Sequence, residues 1–468
     1  MARERVIVVG AGLSGLAAAF DLARGGADVM VLEASDRAGG VVGTVERDGF
    51  LFEMGPNTVQ ASSESFRRLC GDLGIAGRLI ASSPAADERY LFLRGRLRAL
   101  PTSPVAFLLS PVLPARARFR VATEPFRRWR PPSAWASEPT MEEFSRERLG
   151  AEASRILAGA FVRGVYAAEL GELGAKSAFP RMWKACEEHG GLVRGLLAAS
   201  RKPMPALPGP ATAKSALLSF PRGLQELVDA LVRALGDRLC TGCEVGALEP
   251  TRSGWMVRAR GGDSRIGDRV VLAVPAPVAA RLLAKIAPKD FPLESLRRIR
   301  HASVTLVHLG LERRAVPNLP AGFGYLVPPR AGDGRSAEAE VAPRALGTIF
   351  ASNLFPGRAP EGCVAVSSFY SSADVGTPDD RALATIACED LARGLREPGP
   401  LEPVAFEVRK WKDVIPRYAP GHAGRMQELE EAARRDLPGL HLAGSHVAGV
   451  SVEQVIALGR TVAAEILG

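Results

Sequence analysis

The sequence predicts an α/β protein with a Rossmann-like, dinucleotide-binding unit, a mostly helical region and a separate β-rich domain. A glycine-rich turn lies between two apolar runs at residues 5–34, which is the pattern of a βαβ unit. A β-rich stretch follows in the middle of the chain and indicates an antiparallel or mixed sheet. A second glycine-rich strand-to-helix turn at residues 440–452 suggests that both ends of the chain hold one cofactor.

The βαβ unit at residues 5–34 contains the residue types that hold a dinucleotide. One apolar run leads into Gly10, Gly12 and Gly15, and the second ends in Glu33. The first glycine permits a tight turn, the second lets the backbone approach a pyrophosphate, and the third lets the helix lie close to the strand. Free N–H groups at the helix start favour phosphate, and Glu33 can accept hydrogen bonds from a ribose diol. The alternative is an ordinary βαβ unit whose glycines serve only packing.

The composition limits the class of protein. The chain has 468 residues, 47% hydrophobic and 24% charged, which is enough for two or three domains with large cores. Its net charge of +9 would suit an acidic substrate, an anionic membrane or nucleic acid, but no regular basic and aromatic pattern favours nucleic acid. The six cysteines predict a reducing compartment, with Cys240 and Cys243 as core or surface thiols. We expect no signal peptide and no membrane-spanning helix.

The segments after Glu33 extend the predicted dinucleotide surface. Gly39 and Gly40 bring the backbone of another loop near the dinucleotide. An alternating apolar strand then ends in a turn at Gly55 and Pro56. Asn57 has two open interpretations, because it can be a turn residue that holds its own backbone or a functional group beside the cofactor.

Residues 104–114 are apolar and broken by prolines, and they precede a basic, aromatic segment. That segment contains Arg116, Arg118, Phe119, Arg120, Phe126, Arg127, Arg128, Trp129 and Arg130. An apolar patch beside a basic, aromatic patch is what an interfacial membrane contact needs. A solvated helix face beside a core helix is the alternative.

Other patterns place the remaining elements. Residues 89–97 predict a hairpin with its turn near Gly95, and residues 141–200 predict mostly helix. Residues 201–210 are rich in proline and predict a linker. Strands are expected at residues 239–245 and 346–352, among others. None of the six histidines has a metal-ligand spacing, so no metal is expected.

Taken together, these motifs resemble the FAD amine oxidase and desaturase superfamily, and within it the protoporphyrinogen oxidase family. The superfamily-wide likeness lies in residues 10–15, Glu33, Gly39-Gly40, 268–275 and 444–452. The stretches that resemble the family are residues 53–58, 89–91, 100–104, 322–328, 346–349, 415–418, Gly421-His422 and 448–452. Of these, the stretches at Arg89, 322–328 and 415–422 are specific to the family. The likeness covers essentially the whole chain in register.

The resemblance implies a division of the chain into interleaved parts. The FAD-binding domain would comprise residues 1–85, 211–287 and 409–468. The α+β substrate domain would comprise residues 86–100 and 288–408, and the helical, membrane-contacting domain residues 101–205.

The resemblance also implies the site residues by position. Non-covalent FAD would be bound by Gly10, Ala11, Gly12, Leu13, Ser14, Gly15, Glu33, Ala34, Gly40, Val41, Gly55, Pro56, Asn57, Thr58, Val245, Ala273, Trp411, Gly444, Val450, Ser451 and Val452. Arg89 would pair with a substrate propionate, and Leu326, Ile349 and Phe369 would pack on the macrocycle. Asn57 and Arg89 are the residues expected at the reaction itself. Judged by sequence alone, an ordinary core is the favoured interpretation of the three apolar residues.

By the same resemblance, the activity would be oxygen-dependent oxidation of protoporphyrinogen IX to protoporphyrin IX, with loss of six electrons through FAD and release of hydrogen peroxide. The implied partners are the porphyrinogen, oxygen, diphenyl-ether-type inhibitors and an anionic membrane surface, with no nucleic acid. A homodimer stays open. The expected location is the cytoplasm, at the inner face of the cell membrane.

Three departures and two alternatives accompany this expectation. Residues 40–44 lack the arginine that often follows Gly-Gly in the superfamily, and Ser445 and His446 stand where some amine oxidases carry a flavin-linking cysteine. The aromatic pair that flanks the amine in those enzymes is not evident. An FAD-dependent amine oxidase or carotenoid-type desaturase is the second interpretation, and a non-catalytic flavoprotein that docks partners at a membrane is the third.

Overall fold

The computed structural model describes residues 3–101, 103–127, 135–201, 206–210, 216–330 and 342–468. In chain order its strands are β1 Arg5–Val9, β2 Asp28–Leu32, β3 Thr44–Arg47, β4 Phe50–Glu53, β5 Val59–Gln60, β6 Ile80–Ala81, β7 Tyr90–Leu93, β8 Arg96–Ala99, β9 Leu217–Ser219, β10 Leu239–Cys240, β11 Val245–Thr251, β12 Gly254–Ala259, β13 Ser264–Gly267, β14 Arg269–Leu272, β15 His301–Glu312, β16 Gly324–Leu326, β17 Gly347–Ile349, β18 Cys363–Ser371, β19 Ala405–Pro416 and β20 Leu440–Leu442.

The helices are α1 Leu13–Arg24, α2 Glu64–Asp72, α3 Pro104–Leu109, α4 Ala115–Ala122, α5 Met141–Leu149, α6 Ala151–Ala153, α7 Ala160–Tyr166, α8 Ala175–Ala178, α9 Pro180–His189, α10 Leu192–Arg201, α11 Gln225–Leu235, α12 Ala276–Leu283, α13 Glu294–Arg297, α14 Ala351–Leu354, α15 Ser372–Val375, α16 Asp380–Leu395, α17 His422–Asp436, α18 Ser445–Ala448 and α19 Val452–Leu467. A π-helix, Ser154–Gly159, joins α6 to α7.

A parallel five-stranded sheet with the order β10-β2-β1-β14-β20 organises the dinucleotide motifs. Its strands come from three separate stretches of the chain, because β14 and β20 join β1 on the side away from β2. Strand β1 is buried on both faces after Arg5, which suits its run of valine and isoleucine. All the motif loops therefore meet at the carboxyl ends of these strands, where open α/β sheets bind ligands.

Small residues allow the first and last long helices to lie close together on this sheet. Helix α1 buries Ala17, Ala18 and Ala19 completely. A Cβ placed on Gly459 of α19 would lie 2.2 Å from the carbonyl oxygen of Ser14 in α1. Any side chain at Gly459 would therefore separate the two helices.

A mixed seven-stranded sheet with the order β19-β15-β18-β17-β16-β7-β8 forms the second layer. Only the β16 and β7 pair is parallel; the other neighbours are antiparallel. One face packs against α16 through an apolar core that includes Val307, Leu309 and Leu391. The other face meets β4, where the Phe52 and His308 rings stack 5.2 Å apart. The sheet is thus held against the dinucleotide-binding part.

The third part is helical and covers the β7 end of the same sheet. Its core joins Leu91 of β7 to side chains of α5, α7 and α9, including Phe144, Val162 and Trp183. Among the described residues, no helix is long and apolar enough to cross a membrane.

Several predicted elements have the expected type. The hairpin turns at Gly95, between β7 and β8, and residues 141–149 form α5. The sheet in the middle of the chain is mixed, as predicted. The predicted strand at residues 239–245 is wrong, because β10 stops at Cys240 and a loop precedes β11. The predicted strand at residues 346–352 continues only to Ile349, after which the chain turns into α14.

The predicted domain boundaries stay predictions. Strand β19 runs to Pro416 within the seven-stranded sheet, so this sheet extends past the predicted boundary at residue 408. Residues 202–205 of the predicted linker lie outside the described residues.

Candidate functional site

The turn between β1 and α1 is built by glycines in the way that the spacing predicts. Gly10 has a φ of +101°, and a Cβ on it would lie 2.4 Å from the carbonyl oxygen of Ala273. A Cβ on Gly15 would lie 2.0 Å from the carbonyl oxygen of Gly10, so the helix touches the turn. A Cβ on Gly12 would meet no atom within 4 Å. The space above Gly12 is therefore open, as a backbone that faces a pyrophosphate requires.

The second glycine pair packs against this turn. Gly40 has a φ of +59°, and a Cβ on it would lie 3.3 Å from the Cα of Gly12. Gly39 and Gly12 form an isolated parallel bridge, and the Gly39 N–H donates to the Ala11 carbonyl oxygen at 2.8 Å. The predicted role of the Gly39-Gly40 loop as a second backbone wall is consistent with this geometry.

Arg37 holds that wall in place and was missed by the sequence analysis. Its guanidinium donates to the carbonyl oxygens of Ala38 at 3.1 Å, Val42 at 3.0 Å and Gly40 at 2.5 Å. Burial, and then repulsion from Arg409, lower the pKa of Arg37. The Gly39-Gly40 loop lacks the arginine that often follows Gly-Gly in the superfamily. Arg37, which precedes the two glycines, holds this loop instead.

Glu33 lies at the carboxyl end of β2 and faces the turn. Its carboxylate accepts hydrogen bonds from the N–H groups of Ala11 at 2.7 Å and Ser35 at 2.9 Å. These bonds fix the carboxylate beside the glycine motif, where a ribose would lie. The role of Glu33 as a ribose ligand is consistent with this geometry and stays a prediction.

A short loop closed by a disulfide holds the backbone on either side of Glu33. Cys240 and Cys243 are joined, so the predicted free thiols are wrong for this pair. The Glu33 N–H donates to the Cys240 carbonyl oxygen at 2.9 Å, and the Cys243 N–H donates to the Glu33 carbonyl oxygen at 2.7 Å. The Gly242 N–H also donates to Ser35. The loop therefore positions the acid of the dinucleotide motif.

The segment after β4 carries Asn57, and a side chain of the seven-stranded sheet holds this segment in place. Asn57 is buried, and its Nδ2 donates to the Gly55 carbonyl oxygen at 3.1 Å, which is the turn interaction. A Cβ on Gly55 would lie 2.2 Å from the Val41 carbonyl oxygen. The Trp411 indole of β19 donates to the Met54 carbonyl oxygen at 2.6 Å. Both interpretations of Asn57 stay open, since a turn residue can also face a cofactor.

The C-terminal turn is held by the family-specific stretch around Tyr418. The Tyr418 hydroxyl donates to the Ser445 carbonyl oxygen at 2.5 Å, and His422 Nε2 donates to the His446 carbonyl oxygen at 2.7 Å. Burial lowers the pKa of His422 to about 4, which keeps this histidine neutral and able to donate through one nitrogen. Ser451 caps α19 by accepting from the Gln454 N–H. The start of α19 is therefore fixed with its N–H groups towards the sheet's carboxyl edge.

The predicted substrate residues share one face of the seven-stranded sheet. Leu326 pairs with Gly347, and Gly347 pairs with Phe369, so these residues form one row across β16, β17 and β18. Ile349 lies two residues along β17 on the same face. Val450 from the C-terminal turn packs against the apolar cluster that Leu326 also joins. The fold thus brings the predicted substrate face and the predicted cofactor turn together.

Arg89 lies at the end of this face, immediately before β7. Its side chain is exposed, and its guanidinium lies 5.7 Å from the centre of the Phe323 ring. Arg89 precedes Leu91 by two residues, so both positions lie on the same face of the sheet. Leu91 pairs with Leu326, so this is the face of the predicted substrate residues. An exposed cation at the rim of an apolar face is available to an anionic ligand group.

Helix α7 adds residues that the sequence analysis missed. A Cβ on Gly164 would lie 2.5 Å from Leu326 Cδ2, so α7 lies directly on that residue. Phe161 lies one turn before Gly164 on the same side of the helix, Val165 lies one turn after Phe161, and both are exposed apolar residues. The π-helix just before α7 is a further signal, because such insertions are frequent at functional sites. Periodicity alone classes both residues as ordinary core.

The remaining predicted cofactor residues surround the same carboxyl edge. Ala273 follows β14 and donates its N–H to the Val9 carbonyl oxygen at 2.8 Å. Val245 begins β11 and is buried in the core beneath β14. Leu13 and Val452 are buried at the starts of α1 and α19. The other members, Ala34, Val41, Pro56, Thr58 and Gly444, lie in the loops described above.

Unsatisfied polar atoms show that these residues fit a dinucleotide with a polar ring system. Ser14 Oγ is buried at the start of α1 without a hydrogen-bond partner, close to where the motif places a phosphate. Both ring nitrogens of His446 are also buried without a partner. Buried polar groups of this kind are usually satisfied by a ligand or by water. No group of three or more metal-ligand side chains occurs in the part of the chain that the structure describes.

The geometry and the comparisons together define the class of protein. A family model described as "Flavin containing amine oxidoreductase" matches residues 13–467, so the chain belongs to that family. The fold agrees, since a solved structure from Exiguobacterium sp. 255-15 has a TM-score of 0.82 with this chain at 22% identity, covering 100% of this chain and 99% of that one.

Within this class, the chain groups with protoporphyrinogen oxidases. It is 32% identical to the protoporphyrinogen oxidase of Homo sapiens, over 99% of this chain and 98% of the relative. It is 30% identical to the chloroplastic protoporphyrinogen oxidase of Nicotiana tabacum, over 99% and 85%. It is also 25% identical to the coproporphyrinogen III oxidase of Bacillus subtilis (strain 168), over 99% and 98%.

The comparisons confirm the predicted family resemblance, the FAD cofactor and the assignment as an FAD-dependent oxidoreductase. The individual site residues stay predictions that are consistent with the geometry.

Proposed function

We propose that this protein oxidises protoporphyrinogen IX to protoporphyrin IX, with oxygen as electron acceptor and hydrogen peroxide as the second product. The observation that carries the proposal is the row of Leu326, Gly347 and Phe369 beside the C-terminal cofactor turn, with Arg89 at its rim. The relatives named above support the same substrate class.

The row suits a broad, flat ring. Leu326 and Phe369 are two strand spacings apart, which is about 10 Å. Gly347 lies between them, and a Cβ on it would lie 2.8 Å from Leu326 Cδ2, so the Leu326 side chain covers this glycine and a ring would rest on apolar side chains. Phe161 lies one turn before Gly164, which approaches Leu326, and would cover the ring from the side of α7. Arg89 supplies the cation that a propionate needs at one edge.

The side chains bind, orient and shield the substrate. When bound, FAD supplies hydride acceptance and reoxidation by oxygen. Each porphyrinogen loses six electrons, two for each oxygen reduced, so one porphyrin forms with three molecules of peroxide. Since aromatisation of the macrocycle drives the reaction, orientation and exclusion of water are the main contributions of the chain. The neutral, buried His422 fixes the carbonyl of His446 in the turn that would face the cofactor.

The test is aerobic and anaerobic mixing of the FAD-loaded protein with protoporphyrinogen IX. We expect bleaching of flavin absorbance without oxygen, and porphyrin fluorescence with three equivalents of peroxide after oxygen is admitted. Flavin that stays oxidised after anaerobic mixing would contradict the proposal and favour a non-catalytic flavoprotein.

Coproporphyrinogen III is the second candidate, because a relative of this chain is named for it. It differs from protoporphyrinogen IX in having four propionates instead of two, so it needs cations at more than one edge. An assay in which the two porphyrinogens compete measures the ratio of their kcat/KM values, and the preferred substrate is the one with the higher value. Turnover of amines or of a long polyene instead would favour the amine oxidase or desaturase interpretation.

We also propose that the helical part contacts an anionic membrane peripherally, at the cytoplasmic face of the cell membrane. Leu109, Phe119 and Phe126 expose 78%, 71% and 84% of their surface. Arg116 is exposed beside them, and Arg118 donates to the Leu108 carbonyl oxygen, which ties α4 to α3. Exposed apolar side chains beside arginine suit the boundary of an anionic bilayer. Residues 128–130 of the predicted segment lie outside the described residues.

Sedimentation with vesicles tests this contact. The protein should sediment with anionic vesicles at low salt, less at high salt, and less again after Phe119→Ser and Phe126→Ser. Ile266→Ser is the matched control, because Ile266 is an exposed apolar residue on β13. Equal sedimentation with neutral and anionic vesicles would refute the proposal.

A further inference from the structure

An arginine-rich cleft of about 810 Å³ lies at the outer edge of the seven-stranded sheet. One wall is the β7–β8 hairpin, with Arg94, Arg96 and Arg98. The other wall is the C-terminal end of α16, with Arg393 and Arg396. None of these residues belongs to the dinucleotide motifs or to the predicted substrate set.

The positive charge of this cleft is mostly unbalanced. Arg393 pairs with Asp390 at 3.0 Å. Glu397 also lines the cleft, but its carboxylate accepts from the backbone and side chain of Asn318 at 3.0 and 3.1 Å. The guanidinium groups of four arginines form no ion pair or hydrogen bond with any residue that the structure describes; they are Arg94, Arg96, Arg98 and Arg396.

Arg98 shows that the charges crowd one another. Its Nε is buried without a hydrogen-bond partner. Burial, and then repulsion from Arg96 and Arg94, lower the pKa of Arg98. A buried guanidinium nitrogen without an acceptor is a cost that a bound anion would remove.

Two of these arginines also adopt backbone conformations that favour other residues. Arg94 has a φ of 53° at the first position of the two-residue hairpin turn, where asparagine or aspartate is preferred. Arg396 has a φ of 60° at the C-terminal cap of α16, where glycine is preferred. Strained positions of this kind are often found where ligands bind. Both strained residues point to the same cleft.

A second cleft of about 610 Å³ provides a contrast. It contains Arg313 and Arg314, but Glu312 and Glu361 line it as well. Arg314 pairs with Glu312 at 2.6 Å. In the second cleft, glutamates balance the charge of the arginines. In the arginine-rich cleft, most of the arginine charge has no carboxylate partner.

We propose that the arginine-rich cleft binds a multivalent phosphate anion. Four unpaired guanidinium groups beside one engaged carboxylate match a ligand with three or four negative charges, as a diphosphate or triphosphate group has. The planar fork of arginine pairs with phosphate oxygens through two parallel bonds. The phosphate group is either that of a free nucleotide or pyrophosphate, or that of a lipid headgroup. This site goes beyond the proposed oxidase function and does not depend on it.

Calorimetry on the full-length, FAD-loaded protein tests the proposal with pyrophosphate, ATP and citrate as probes. We expect pyrophosphate and ATP to bind, and Arg94→Gln with Arg96→Gln to weaken binding by about tenfold or more. Arg94→Lys with Arg96→Lys should recover only part of the loss, because an ammonium group cannot form the fork. Arg314→Gln should leave binding unchanged. FAD content, measured by absorbance, verifies that each variant is folded.

The outcomes separate the sources of the phosphate. Binding of the soluble probes assigns a free anion, while binding only to vesicles that contain a diphosphate lipid assigns a headgroup. Binding of neither overturns the proposal, as does an equal loss in Arg314→Gln. Citrate binding as tight as that of pyrophosphate would overturn the assignment to phosphate. Porphyrinogen turnover enters none of these measurements, so failure of the oxidase proposal would be seen separately.

Discussion

Glu53 offers a test of how the cofactor-binding part is assembled. Its side chain is buried at the end of β4, accepts from the Leu224 N–H at 2.9 Å and the Thr44 hydroxyl at 2.8 Å, and lies 3.8 Å from Arg358. Burial outweighs these favourable contacts and raises the pKa of Glu53 from 4.5 to about 7. The folded protein therefore holds a proton on Glu53 over a pH range in which the unfolded chain has released it.

The sign follows from this difference in bound protons. A raised carboxyl pKa gives a stability contribution that is fully present below pH 4.5 and is lost as the pH rises through about 7. The size of the shift corresponds to roughly 3 kcal/mol of unfolding free energy between these limits. Glu53→Gln removes the titration. We therefore expect the stability of the variant relative to wild type to rise by about 3 kcal/mol between pH 5 and pH 8.

Urea unfolding at saturating FAD, followed by tryptophan fluorescence, measures this difference. The substitution also removes a charge near Arg358, which shifts the unfolding free energy of the variant by a constant amount. The expected change of the difference with pH is unaffected by this shift. Glu226→Gln is the control, because contacts with Arg78 and Arg222 lower the pKa of Glu226 and leave its stability contribution flat above pH 5. A pH-independent difference between Glu53→Gln and wild type would refute the reasoning.

Three further predictions concern ligands. Gly12→Val should give folded but colourless protein, since its Cβ meets no protein atom and fills only the space for the pyrophosphate; retained flavin absorbance would contradict this. Arg89→Ala should cost about 1.5–3 kcal/mol of substrate binding, seen as a KM raised roughly ten- to a hundredfold, with the flavin spectrum unchanged; an unaltered kcat/KM would count against the propionate contact. Cys243→Ser should weaken FAD binding a few-fold in a titration followed by flavin fluorescence, because the loop then holds Glu33 less firmly; an unchanged Kd would show that the disulfide is dispensable.

Features whose determining contacts are local can be predicted from the sequence. Gly10, Gly12 and Gly15 act within one turn, and Glu33 lies at the end of the next strand, so their spacing alone predicts the cradle. The hairpin before Gly95 and helix α5 are local for the same reason. Arg37 was missed because its partners are backbone carbonyls, which have no signature in the sequence.

The substrate face could not be derived locally. Leu326, Gly347 and Phe369 are adjacent only through strand pairing, and apolar side chains give the same pattern in a core. Phe161 was missed because helical periodicity does not distinguish a residue facing a ligand from one facing the core. The strand predicted at residues 239–245 failed because the chain bends after Cys240, where Gly242 has a φ of 68°.

The interleaved order of the five-stranded sheet has a consequence for biosynthesis. Strands β1 and β2 leave the ribosome early, but their neighbours β14 and β20 are made much later, and α19, which packs against α1, comes last. At about 5–20 residues per second, synthesis of this chain takes roughly half a minute to a minute and a half. During that time β1 has β2 as its only strand neighbour, and the surface of α1 that packs on α19 is uncovered. The two glycine-rich turns that we expect to bind the flavin can therefore come together only after residues 440–452 have been made.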